Sequence, residues 1–322
     1  MTRQRALRGA RAGFVVATLA LAWWGFRGRW SEIGDAAAGI GPVRLAAATV
    51  CTAAGLALTS LLWRLQLRWV GAEVGVRDGA AVFLVGQLGK YVPGSVWSVA
   101  AQAQLGRRHG VPARSSATAS ALFLLVHTAT GLLLGGLLVL GGGLDLPASS
   151  GGPWASDWPA PWPWAAAAVG ALALAPALVR RLADRLAGSG VRTTFGFPEL
   201  ARSVALMAVV WGCYGAALLL LVPGEASGSP GFGAAVAAFA LAHAAGVLVV
   251  VAPAGVGVRE GVLVALLAPV LGVPGAAAVA LLSRVAHAVA DFAVAGLASA
   301  WARAGGVGRD AVLPEPARAH GE

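Results

Sequence analysis

Six stretches of this chain contain no Asp, Glu, Lys or Arg: 45–63, 116–144, 162–179, 203–224, 226–258 and 261–283. A hydrocarbon core of roughly 30 Å takes about 20 helical residues, and most of these stretches reach that length. A large soluble core would need intervening amphipathic elements that face water. Such elements are missing. Hydrophobic residues make up 58% of the 322 and charged residues only 12%, too little charge to clothe a soluble surface. The expected fold is therefore an all-α, polytopic membrane domain over 1–304 with about seven or eight hydrophobic helical segments, followed by a short cytoplasmic tail, 305–322, rich in Pro and charge. No soluble domain large enough for an enzyme is expected.

Arg3, Arg5, Arg8 and Arg11 precede the apolar run Ala12–Phe26, which looks like a signal peptide at first sight. No small-x-small cleavage site follows before Arg27 and Arg29, so the run reads as a retained first helix anchored by Trp23, Trp24 and Trp30. With the N-terminus in the cytoplasm, 45–63 returns inward. Arg64, Arg68 and Arg77 then precede a segment broken by Gly86, Gly89, Pro93 and Gly94, and Arg107, Arg108 and Arg114 follow it. If both basic ends lie inside, residues 80–105 enter and return as a re-entrant or broken hairpin, whose backbone must be covered by protein or face a water-filled cavity. The outer loop carries Asp145, Asp157 and a Pro/Trp tract from Trp154 to Trp164. The next inner loop holds Arg180, Arg181, Arg185, Arg192 and Arg202. Residues 203–222 go out, 231–251 come back, and 261–271 with 275–300 form a final pair around Gly272. Eighteen arginines then lie inside against three outside, Arg27, Arg29 and Arg44. That asymmetry places both termini in the cytoplasm and the chain in a cell inner membrane.

The net charge of +10 suggests a nucleic-acid partner, but these arginines are spread over short loops between spans, and attraction to anionic lipid headgroups accounts for them. Cys51 and Cys213 sit singly in apolar spans, as small buried side chains rather than a disulfide or metal site. Residues 86–94 lack the Gly-Lys-Ser/Thr ending of a nucleotide loop. No cofactor and no metal are expected.

Two places concentrate chemistry. The first is 86–97, where Lys90 is the single lysine of the chain and Pro93 with Gly94 interrupts the helix. Backbone groups freed there need partners, and Gln87, Lys90, Tyr91 and Ser95, together with Arg259 from the second place, are candidates to hold an anionic headgroup. The bland alternative is a Lys90 that snorkels to the interface. The second place is 252–261, where Pro253, Gly255 and Gly257 break the backbone before Arg259 and Glu260, followed later by Arg284, His287 and Asp291. Offsets of three and four put the last three residues on one helix face. Ionisable groups at membrane depth turn toward each other or a cavity. A Glu260–Arg284 pair and a proton-sensitive His287–Asp291 pair are expected, as a gating network or as a structural latch. His127 and His243 lie alone in apolar spans and read as helix-to-helix hydrogen bonds.

Gly-Lys-Tyr-Val-Pro-Gly at 89–94, Leu-Gly-Arg-Arg-His-Gly-Val at 105–111, and Pro-Ala-Gly-Val-Gly-Val-Arg-Glu at 253–260 followed by Arg284 occur in an order that resembles the membrane-domain family of lysylphosphatidylglycerol synthases, also described as flippase-like. The likeness runs from about residue 10 to 302 and departs at Ala254, where many relatives use Gly. It implies a multi-helix domain that handles lipids, phospholipids or isoprenoid-linked lipids among them, through Lys90, Tyr91, Pro93, Gly94, Gly255, Gly257, Arg259, Glu260 and Arg284. Full synthases of this kind carry a separate soluble catalytic domain, so lysyl transfer is not expected of this chain. The leading expectation is a lipid or lipid-linked intermediate flippase. The rival is a membrane scaffold for a separate lipid-modifying enzyme, and a membrane-embedded transferase ranks third.

Overall fold

The computed structural model describes residues 30–91, 97–142, 161–188, 193–223, 229–249 and 255–306. The apolar run Ala12–Phe26, the residues Pro93, Gly94, Ser95 and Pro253, most of the outer Pro/Trp tract, and the tail from 307 onward lie outside them. The described residues form helices α1 (Trp30–Ala38), α2 (Gly41–Trp69), α3 (Val76–Gln87), α4 (Trp97–Arg107), α5 (Ala113–Leu140), α6 (Trp162–Ala173), α7 (Pro176–Ala187), α8 (Phe197–Leu220), α9 (Phe232–Leu248) and α10 (Val258–Gly306), with a 3₁₀ turn at Leu88–Tyr91.

This is an all-α polytopic membrane protein. Among the described residues four helices, α2, α5, α8 and α10, are long and apolar enough to cross a bilayer, and a fifth span is made if α6 and α7, bent by 52° at their junction, are counted together. The surface supports the same conclusion. Val50, Leu172, Val209 and Leu297 are exposed while Thr52, Gln66, Gln102 and Ser116 are buried, the distribution expected when the solvent is hydrocarbon and polar groups must find partners inside. Along α10 the exposed residues Leu281, Val285, Val289 and Phe292 form one lipid-facing stripe.

Among the described residues, which begin at Trp30, the spans number fewer than the seven or eight hydrophobic segments expected. Several apolar runs turn back before crossing. Helices α3 and α4, of 12 and 11 residues, are each too short to span, and they pack antiparallel. A Cβ on Gly89 would lie 2.7 Å from the Ser98 backbone N, and His109 reaches Asp78 at 3.6 Å. The pair leaves one end of the bundle and returns to it, the hairpin expected over 80–105.

A second hairpin, which the sequence pattern conceals, enters from the other end. Gly233 of α9 lies by Leu138, near the end of α5, and His243 packs against His127 in mid-α5. Helix α9, 17 residues long, thus stops partway. The chain reverses there, since Gly246 approaches both Gly255 and Arg259. Residues 258–271 then run back until Gly272, with φ 69° and ψ 163°, breaks α10. The long arm 273–306 folds antiparallel to 258–271, pairing Glu260 with Arg284 and Arg259 with Ser283. The expected return crossing of 231–251 is therefore replaced by entry and retreat, because about 25 Å of helix is shorter than the hydrocarbon core.

Cross-contacts gather the basic ends. Thr194 N donates to the Trp69 carbonyl at 2.9 Å, Arg114 Nε donates to the Leu186 carbonyl at 2.8 Å, and Arg77 lies over the Trp301 ring at 5.4 Å. The ends of α2, α7 and α10 and the starts of α3, α5 and α8 thus share one face. At the opposite end Arg44 Nη2 donates to the Val222 carbonyl at 2.6 Å, joining the start of α2 to the end of α8.

A column of rings runs through the centre. Phe83 packs on Trp63 and Phe123, Phe123 on His127, His127 on Trp211, and both Tyr214 and Phe239 on His287. Trp63 Nε1 donates to Ser120 Oγ at 3.0 Å, Ser120 donates in turn to Gln102 Oε1, and this network fastens the α3–α4 hairpin to α5.

Candidate functional site

Both hairpin tips converge on the long arm of α10, around its midpoint. The offsets read from the sequence hold: Arg284, His287 and Asp291 occupy one helical face, beside the exposed apolar stripe.

The first tip arrives through the 3₁₀ turn that ends α3. Lys90 Nζ lies 2.6 Å from Asp291 Oδ2, and the Tyr91 hydroxyl donates to the same oxygen at 2.6 Å. The Tyr91 ring stacks on Phe292 at 5.6 Å. Asp291 is 3% exposed and the Lys90 side chain 31%, so Lys90 bridges a buried carboxylate and a wetter surface instead of snorkelling free. Gln87 ends α3, half-buried, one turn before Lys90. Gly89 is required because the returning backbone of Trp97 and Ser98 fills the space a Cβ would take.

The second tip begins with Gly255 and Gly257, at φ 68° and 83°, a left-handed region that favours glycine. Gly257 then caps a helix. Its N–H donates to Glu260 Oε2 at 2.7 Å, three residues on, in the manner of a capping box. The other oxygen, Oε1, accepts from Arg284 Nη1 at 2.7 Å. The pair expected from sequence thus forms, and the cap holds the carboxylate that receives Arg284.

Arg259 has no such partner. It is 7% exposed, its Nη2 donates to Ser283 Oγ at 2.8 Å, and its guanidinium lies 4.6 Å from the Phe239 ring centroid. Nε finds no acceptor. Among the described residues no carboxylate lies within ion-pair distance of it. The site holds three cations, Lys90, Arg259 and Arg284, against two carboxylates, Glu260 and Asp291. Leaving a buried charge uncompensated is expensive at membrane depth.

The expected His287–Asp291 pair does not form. Asp291 is already held by Lys90 and Tyr91, while His287 Nδ1 sits 3.0 Å from the Ser283 carbonyl one turn back. A carbonyl only accepts, so we assign the ring proton to Nδ1. The 3.4 Å approach of Arg259 Nη2 to that nitrogen is then a contact between donors, and Nε2 has no partner. His127 and His243 also differ from expectation. Neither nitrogen of His127, nor Nδ1 of His243, has a hydrogen-bond partner. The two rings pack at a tilt instead, with centroids 4.8 Å apart.

Ser283 and Phe239, the direct contacts of Arg259, escape sequence reasoning. Ser283 adjoins Arg284 and carries a weak polar signal. Phe239 lies in an all-apolar helix and carries none. Among the described residues no group of three His, Cys, Asp or Glu converges to hold a metal.

The arrangement suits an anionic group. A buried guanidinium with a free N–H, beside two neutralised cations, offers a charge complement and hydrogen-bond donors. The sequence profile of the lysylphosphatidylglycerol synthase TM region matches residues 11–295, which includes every site residue named above. A comparison with curated proteins finds no match.

Proposed function

This chain belongs to the lysylphosphatidylglycerol synthase TM-region family, and on that premise we propose that it moves a lipid or lipid-linked intermediate with an anionic headgroup across the membrane. The observation that carries the reading is Arg259, buried, hydrogen-bonded to Ser283 and without a carboxylate partner among the described residues. An arriving phosphate or carboxylate would supply the missing counter-charge.

Support also comes from the two hairpins that enter from opposite ends and bring broken helices to one level, an arrangement used by transporters with discontinuous helices. In this mechanism the headgroup engages Arg259 while the acyl or isoprenoid tails stay beside the apolar outer faces. Glu260–Arg284 and Lys90–Asp291 act as exchangeable pairs: an incoming anion competes with Asp291 for Lys90 and with Glu260 for Arg284, loosening one hairpin at a time. The basic face lies in the cytoplasm by the charge rule, in an inner membrane.

The test is reconstitution into liposomes with headgroup-labelled phosphatidylglycerol and, separately, a polyprenyl phosphate. Translocation by the native chain, lost on Arg259→Gln while the variant remains folded, is the expected result. No movement of any anionic lipid would count against the reading.

A scaffold for a separate lipid-modifying enzyme is the second reading. Helix α7 favours it, burying Val179, Ala183 and Ala187 while presenting Arg180, Arg181 and Arg185 to the outside. In that case substitutions on α7 would disrupt association and Arg259→Gln would not.

A further inference from the structure

A cavity of about 790 Å³ opens on the basic face, away from Arg259, where the start of α3, the end of α4 and the end of α10 meet. Its wall carries Arg77, Arg108 and Arg303. Among the described residues none of the three is in an ion pair. The wall also carries one carboxylate, Asp78, whose Oδ2 lies 3.6 Å from His109 Nδ1. Val82, Val85 and Leu105 supply an apolar floor. Trp301, 46% exposed, stands at the rim with the Arg77 guanidinium 5.4 Å over its ring, and the absence of a side chain on Gly305 leaves room for that guanidinium.

These features fit one ligand chemistry. Three guanidiniums against one carboxylate call for an anion, and arginine favours phosphate oxygens because its planar fork matches them. A soluble anion has no use for the apolar floor. A glycerophospholipid uses both parts, its phosphodiester on the arginines and its first methylenes on Val82, Val85 and Leu105. The volume falls in the range of about 300–1,000 Å³ typical of small-molecule sites. Trp301 marks the headgroup level, where amphipathic rings settle, and basic pockets between spans on the cytoplasmic side are known to hold anionic headgroups.

We infer that this groove is a binding site for the phosphodiester headgroup of an anionic phospholipid from the adjacent leaflet. The site is independent of transport through Arg259. It grips the α3–α4 hairpin and the end of α10 together, so its occupancy stabilises the base from which Lys90 is presented to Asp291.

The experiment uses the full chain in phosphatidylcholine nanodiscs titrated with phosphatidylglycerol, reading retained lipid by native mass spectrometry. Arg77→Gln, Arg108→Gln and Arg303→Gln combined should abolish preferential retention, each arginine contributing about fivefold. Arg180→Gln, Arg181→Gln and Arg185→Gln on α7 should leave it unchanged. Equal loss in the groove and α7 variants would reduce the effect to general surface charge and overturn the proposal. Displacement of the lipid by inorganic phosphate at the same concentration would make the groove a soluble-anion site and overturn it as well. If the triple variant does not fold, photo-crosslinkable phosphatidylglycerol on the native chain decides: adducts on 75–85 and 299–305 are expected, and adducts confined to other segments would refute the assignment.

Discussion

Lys90 Nζ lies 2.6 Å from Asp291 Oδ2, so the tip of the α3–α4 hairpin is ionically fastened to the midpoint of the long arm of α10. Two hundred residues of chain separate Tyr91, which shares the contact, from its acceptor. The hairpin is thus held at its tip by one buried carboxylate, in addition to the Ser120–Gln102 contact that fastens it to α5.

Replacing that carboxylate should be costly. Asp291→Leu leaves Lys90 without its counter-charge and Tyr91 without its acceptor, for a loss of about 3 kcal/mol. Lys90→Met combined with Asp291→Leu should recover most of it. Thermal unfolding of the purified variants checks this, and equal stability of the single and double variants would mean that the pair is not coupled.

Arg259 should behave in the opposite way. A buried guanidinium without a carboxylate is a burden on the fold, so Arg259→Met is expected to raise Tm by a few degrees while abolishing lipid translocation. A fall in both would point to a structural latch instead of a ligand site.

The glycines of the tips differ by position. Gly255→Ala combines a left-handed φ with a Cβ 2.9 Å from the Gly246 Cα, and Gly89→Ala forces apart the backbones of α3 and α4. Each should cost about 1–3 kcal/mol. Gly261→Ala meets open space inside a helix and should be neutral or stabilising by about 0.5–1 kcal/mol. Denaturation midpoints in one detergent rank the three.

Ser120 serves two partners, Trp63 and Gln102. Ser120→Ala leaves the buried indole N–H without an acceptor, which should lower stability by about 1–3 kcal/mol. Trp63→Phe in the same background should remove much of the penalty, because the orphaned donor is gone.

Orientation is open to chemical labelling. In a background with Cys51→Ala and Cys213→Ala, Val43→Cys should react with an impermeant maleimide added outside cells. Thr194→Cys, on the basic face, should react only after permeabilisation. The reverse pattern would invert the topology.

Much of the site was legible in the chain. Lys90 announced itself as the single lysine, and Arg284, His287 and Asp291 declared a common face by spacing alone, because helical periodicity is a local property. Glu260–Arg284 followed from the expense of unpaired charge at depth. The partners of Lys90 and His287 were not legible. Asp291 lay within reach of His287 in sequence, yet Lys90 and Tyr91 claim it from another hairpin, and only the packing of α3 and α4 against α10 reveals that competition. His127 and His243 carried a polar signature but sit in a cluster of rings, since an imidazole can be accommodated as an aromatic as well as a hydrogen-bonding group.

The charge-free stretches determined, by themselves, that this is a helical membrane protein, since no other solvent tolerates such a surface and helices satisfy their own backbone. They also marked the two interrupted segments. Tertiary structure decided which apolar runs cross and which turn back. Hydropathy measures the preference of a residue for hydrocarbon, and that preference is met equally by a span and by a hairpin wrapped in other helices. Whether α9 crosses or retreats depends on Gly246 meeting Gly255 and on Arg259 meeting Ser283, contacts between residues that no local pattern relates.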